Sequence, residues 1–124
     1  MTIQEAISEA DKLCPNLIED GTKLGWLNTI ETTIYRELVL PREGSELVEE
    51  PDINMDTDYC HELIATAPYD RLYVEYLLSK IDFTNREWDS YNNTASQFNQ
   101  SYKEFAAYYN RTHMYKGTKL KNYL

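Results

Sequence analysis

Apolar residues at helical spacing open the chain. Ile3, Ala6, Ile7, Ala10, Leu13 and Cys14 recur at intervals that place them on one stripe of an amphipathic helix. Thr2 supplies a capping hydroxyl, Glu5 stands three places on to complete a capping box, and Pro15 cannot continue the ladder, so a helix is predicted between Thr2 and Pro15. A second stripe, Leu24, Leu27, Ile30 or Glu31, Ile34 and Leu38, predicts a helix that starts near Asp20 or Thr22 and runs up to Pro41. Gly25 within it costs about 1 kcal/mol relative to Ala, which also allows a later start.

Over residues 41–67 the helical spacing is lost. Pro41, Gly44, Pro51 and Pro68 punctuate a stretch in which eight acidic residues from Glu43 to Glu62 stand against one base, Arg42. This predicts a long acidic arm. An alternative is a short β-hairpin pairing Glu46-Leu47-Val48 with Glu62-Leu63-Ile64-Ala65, although a two-stranded ribbon is marginal on its own. Unstructured connections longer than about 15 residues in a small domain are commonly functional or disordered. A functional arm is expected here.

Pro68 suits the first turn of a helix, and Asp70 places negative charge near its positive end. Tyr73, Leu77, Ile81, Trp88, Tyr91, Ala95, Phe98, Tyr102, Phe105 and Tyr109 follow, and from Trp88 onward they alternate strictly by three and four as a heptad seam. One helix over residues 69–110 would be about 63 Å long, too long for a compact domain of this size, so a break is expected between residues 82 and 94. Asp82 to Glu87, where Phe83 is the lone apolar residue, and Asn92-Asn93-Thr94 with Gln97 both offer turn or cap chemistry. The predicted fold is mainly α: a small bundle of four or five helices with the arm or hairpin between the second and third. Residues 1–111 form one helical domain that includes the arm 41–67, and residues 112–124 form a basic tail.

The net charge of −9 conceals a division. Residues 1–70 carry 16 acidic and 4 basic side chains, and residues 71–124 carry 5 and 8. An acidic chain is poorly suited to generic phosphate-backbone binding, whose affinity comes from Lys and Arg displacing counterions. No stretch approaches the roughly 20 apolar residues of a membrane span, and the opening residues lack a secretion signal's basic and apolar regions, so no membrane association is expected. Cys14 and Cys60 are then expected to be free thiols, and the Asn-x-Ser/Thr triplets at Asn92, Asn99 and Asn110 to be coincidental.

Chemistry-bearing motifs are incomplete. Asp52, Asn54, Asp56 and Asp58 occupy alternate places of a calcium loop, but Thr57 stands where its sharp turn needs Gly and Leu63 where it needs a bidentate Glu. Cys60-His61 has no second Cys or His at zinc spacing, and His113 lies far along the chain. The four glycines are isolated, so no phosphate-cradling loop is present. Neither a catalytic activity nor a cofactor is expected.

Thirteen of the sixteen aromatic residues lie between Tyr69 and Tyr123, so the second half carries most of the ring surface available for packing and docking. Trp88, Phe98, Tyr102 and Phe105 are expected in the core. Tyr76, Tyr108, Tyr115 and Tyr123, off the seam, are free to serve an interface, where an apolar ring with a wet hydroxyl is well suited.

The segments Tyr69-Asp70-Arg71-Leu72-Tyr73, Lys80-Ile81-Asp82, Tyr91-Asn92-Asn93, Phe98-Asn99 and Tyr108-Tyr109-Asn110-Arg111-Thr112-His113-Met114 resemble bacteriophage and prophage head-tail connector, or head-completion, proteins. The resemblance is clearest from Tyr69 to Lys116, is supported by Met1 to Asp11, and does not extend to the arm. It implies a helical subunit that closes into a ring on the portal protein and joins the DNA-filled head to tail or other connector proteins. DNA would pass through without specific binding. It also implies assembly in the bacterial host cytoplasm and residence at the head-tail junction of the virion.

The family provides no transferable interface motif. Charge and aromatic pattern instead nominate Glu46, Glu49, Glu50, Asp52, Asp56 and Asp58 on the arm, and Tyr108, Arg111, His113, Tyr115, Lys116, Lys119 and Lys121 at the other end, as subunit or portal contacts. The acidic arm is expected to meet a basic surface, such as a neighbour's tail. A second expectation is that acidic residues line the channel and repel DNA. The rival reading is a small acidic protein-binding or regulatory module encoded by a phage or prophage.

Overall fold

The computed structural model describes residues 1–116. Four helices follow in chain order: α1 (Ile3–Leu13), α2 (Asp20–Ile34), α3 (Arg71–Thr84) and α4 (Trp88–Thr112). They form the small helical bundle that the apolar spacing predicts.

Helix α1 begins with the anticipated capping box: the Glu5 N–H donates to Thr2 Oγ1 at 3.1 Å, and the Thr2 N–H donates to Glu5 Oε1 at 3.0 Å. Ile3, Ala6, Ile7 and Ala10 are buried, whereas Leu13 is exposed and Cys14 half-buried, so the packed stripe ends one turn earlier than the spacing predicts. Helix α2 starts at Asp20 and buries Leu24, Leu27, Ile30, Glu31 and Ile34. It then widens into a π-helical turn at Tyr35–Val39, whose extra residue brings both Leu38 and Val39 into the interior.

The arm is not a projection. Its carbonyls at His61 and Tyr59 accept the N–H groups of Ile3 (3.1 Å) and Gln4 (2.9 Å), donors that α1 leaves without intrahelical partners. Ile53, Leu63 and Ala65 are buried with the helices, and the Ile53 N–H donates to Asn28 Oδ1 at 2.9 Å. The hairpin alternative is not formed: Ser45–Leu47 is a single 3₁₀ turn and Glu62 makes an isolated bridge with Thr2. The N–H groups a second strand would have used go elsewhere: Leu63 donates to Met1 O, Ile64 to the Glu31 carboxyl and Ala65 to the Tyr73 hydroxyl.

Helix α3 is the central element and packs on each of the other three. Leu72, Tyr73, Val74, Leu77 and Ile81 are buried, together with Glu75, Ser79 and Asp82. It starts at Arg71, not at Pro68: Tyr69 N–H bonds to Thr66 O at 2.9 Å, closing a turn that delays the helix. The break falls at residues 85–87, within the first of the two anticipated windows. There Arg86 adopts φ 58°, a left-handed conformation usually given to Gly at a helix end. Buried Asp82 secures the turn by accepting hydroxyl hydrogen bonds from Ser90 (2.8 Å) and Thr94 (3.0 Å) of α4.

Helix α4 spans about 37 Å at ~1.5 Å per residue, yet Phe105 is its one buried residue. Phe98 and Tyr102 pack half-buried along the seam, whereas Trp88, expected in the core, is 52 % exposed. Its place at the tip of the α3–α4 hairpin, beyond the other helices' cover, leaves it stacking edge-on with Phe83 and Tyr91.

Candidate interaction surface

Residues 41–43 and residues 114–116, just beyond the end of α4, are joined at the backbone. The Glu43 N–H donates to Met114 O at 2.8 Å, and the Lys116 N–H donates to Pro41 O at 3.0 Å, an antiparallel pairing centred on Arg42 and Tyr115. Arg42 is buried at 1 % exposure. Its Nε donates to Leu38 O at 3.1 Å, its guanidinium donates to Asn110 Oδ1, and Tyr115 covers it with the ring centroid 3.6 Å away. The predicted basic tail is therefore anchored at residues 113–116. Lys119 and Lys121, like Tyr123, lie outside the described residues.

Two depressions adjoin this anchor. The first, about 360 Å³, lies between Val39, Val48, Ile64 and the aromatic end of α4, with Tyr108, Tyr109 and His113 on its wall. Tyr108 stacks on Tyr69 at 4.7 Å and His113 stacks on Tyr109 at 3.8 Å, so these predicted interface rings also brace the fold. The second, about 480 Å³, shares Val48 and Ile64 with the first and continues along Leu47, Glu49, Glu50, Asp52, Ile53, His61 and Glu62. The two form one trough, aromatic at one end and acidic at the other.

The predicted acidic residues are all exposed, but the fold divides them. Glu49, Glu50 and Asp52 line the acidic end, with Glu50 held by Arg36 at 2.8 Å. Glu46 sits on the 3₁₀ turn outside the trough lining. Asp56 and Asp58 belong to tight turns: Asn54 Oδ1 accepts the Asp56 N–H, and Asp58 Oδ1 accepts the Cys60 N–H. Among the described residues no three His, Cys, Asp or Glu side chains gather as a metal ion would require. Arg111 is exposed on α4 near Tyr69 and Glu104, away from the trough, and Lys116 is exposed beside Pro41.

The sequence reading did not place Glu31 in a site. It sits at 1 % exposure beneath the acidic end, where Oε2 accepts the Ile64 N–H at 2.8 Å and Oε1 accepts the Tyr73 hydroxyl at 2.6 Å. The same hydroxyl accepts the Ala65 N–H at 2.8 Å, so a carboxyl and a phenol together tie the arm's return to α2 and α3. Burial raises the Glu31 pKa to about 7, against the opposing pull of its two hydrogen bonds. Burial and the neighbouring carboxyl push Tyr73 far above the ordinary tyrosine range. An acid on the apolar stripe of α2 was the visible signal; its partners are distant in sequence.

Cys14 and Cys60 are both free. Burial raises the Cys14 thiol, assisted by Asp82, Glu87 and Asp11, which makes it a poor nucleophile. None of the described helices is long and apolar enough to cross a membrane. Comparison with models of known families, with curated proteins and with solved structures found no match for this chain.

Proposed function

We propose that the chain is a non-catalytic structural subunit that acts by assembling with copies of itself and with a portal-type ring, as phage head-tail connector proteins do. The observation that carries this reading is α4: a helix of about 37 Å with one buried residue and a row of half-covered aromatic rings is far more surface than its own core consumes. The segments that resemble connector proteins from Tyr69 to Met114 coincide with α3 and α4, so the resemblance falls on one helical hairpin and the residues that follow it. Exposed acid on the arm and a sequence after α4 that carries lysines and no acid give the chain two unlike segments, which suits a heterologous contact that closes into a ring. DNA would pass the ring without specific contacts, and tail or further connector proteins would bind its other face.

The test is assembly of the purified chain, alone and mixed with a phage portal protein. Sedimentation and negative-stain imaging should reveal ring-shaped assemblies of the chain, alone or seated on the portal. A chain that stays monomeric at high concentration and does not bind the portal overturns the reading. Tight one-to-one binding of a host protein would instead support a regulatory module.

A further inference from the structure

We propose that the acidic end of the trough on one copy receives the C-terminal segment 117–124 of a second copy. This rests on the assembly reading above and names the contact that would join neighbours.

The trough has the chemistry for such a guest. Its apolar wall, Leu47, Val48, Ile53 and Ile64, includes one side chain left 86 % exposed, Leu47. Its edge carries Glu49 and Asp52, and beside them Glu62, which already meets the Met1 ammonium at 3.4 Å. Glu31 beneath is already committed to Tyr73 and Ile64, so the exposed acids, not the buried one, are available to a cation. A volume of about 480 Å³ admits a short run of side chains and no folded domain.

The C-terminal segment is complementary. It contains Lys119 and Lys121 around Leu120 and has no acid. Leu120 has the chemistry to meet an apolar wall, and Lys119 and Lys121 have the charge to meet an acidic edge.

The backbone argues for a second copy and against the chain's own tail. Residues 114–116 run antiparallel to 41–43, so at Lys116 the chain runs opposite to the direction in which 41–43 lead on to residues 47–53. A tail from a neighbour has no such constraint. It would also make the contact heterologous, each subunit giving a tail and taking one.

The experiment uses two full-length, differently tagged variants, with sedimentation velocity measured with and without the portal. One reverses the trough edge (Glu49→Lys with Asp52→Lys) and the other reverses the tail (Lys119→Glu with Lys121→Glu). The reversed edge residues are exposed, and both variants should keep the wild-type helical circular dichroism. Each variant alone should assemble about tenfold more weakly than wild type, as expected for losing a few rim ion pairs and gaining repulsion. Mixing them pairs acid with base at every junction and should restore assembly. If each variant assembles like wild type, or if mixing rescues nothing, this docking is wrong while the ring reading stands. If wild type itself never assembles, with or without the portal, both fall together.

Discussion

Replacing Glu31 with glutamine should remove a specific part of the protein's pH dependence. The carboxyl is 1 % exposed, and its pKa rises from 4.5 to about 7 on folding. In that interval the folded state binds a proton that the unfolded state has released, so stability declines as pH rises through the window. At about 1.4 kcal/mol per unit, the decline reaches about 3 kcal/mol once Glu31 is ionised in both states.

Glutamine is the neutral isostere of the protonated acid, but its one oxygen can accept from only one of the two donors that Glu31 serves, the Ile64 N–H and the Tyr73 hydroxyl. Urea unfolding of the wild type and Glu31→Gln at pH 5 and pH 8 isolates the effect, because the other titrating groups are common to both chains. The variant should lie about 1–3 kcal/mol below wild type at pH 5 for the hydrogen bond it loses, and the difference should move by about 3 kcal/mol in the variant's favour by pH 8. Parallel changes in the two proteins between these pH values would show that Glu31 does not carry a raised pKa and that the reasoning from burial is wrong.

Asp82→Ala removes the acceptor that the Ser90 and Thr94 hydroxyls share across the α3–α4 turn and should cost about 1 kcal/mol, read from the urea midpoint, since Thr94 can still donate to Ser90 O. Arg86→Gly relieves a left-handed residue, φ 58°, and should raise stability by about 1 kcal/mol; a loss of stability would contradict strain at that turn. Phe105→Ala removes the one buried residue of α4 and should cost about 3–5 kcal/mol, whereas half-exposed Trp88→Ala should cost about 1 kcal/mol or less by the same measurement. Tyr115→Ala uncovers the Arg42 guanidinium, and limited proteolysis should then cut residues 113–116 more readily, with a stability loss of about 1–2 kcal/mol.

The helices were legible because each is announced by local chemistry. Thr2 with Glu5, Pro15, the spacing of Leu24 to Leu38 and the heptad seam from Trp88 to Tyr109 act within a few residues of one another, and helical hydrogen bonds are equally local. The charge division between arm and tail was likewise available from composition alone. Other features arise between residues far apart in the chain. The arm's burial depends on α1 offering unpaired N–H groups to His61 and Tyr59, and the exposure of Trp88 depends on where the other helices stop. Arg42 reads as the arm's lone base, yet Tyr115 and Asn110 enclose it. Glu31 reads as an acid on an apolar stripe and becomes the anchor of a network because Tyr73 and Ile64 arrive from elsewhere in the chain. Spacing along a helix reveals which face turns inward, but the identity of what meets that face is set by packing between distant segments, and with it the burial that shifts a charge or covers a ring.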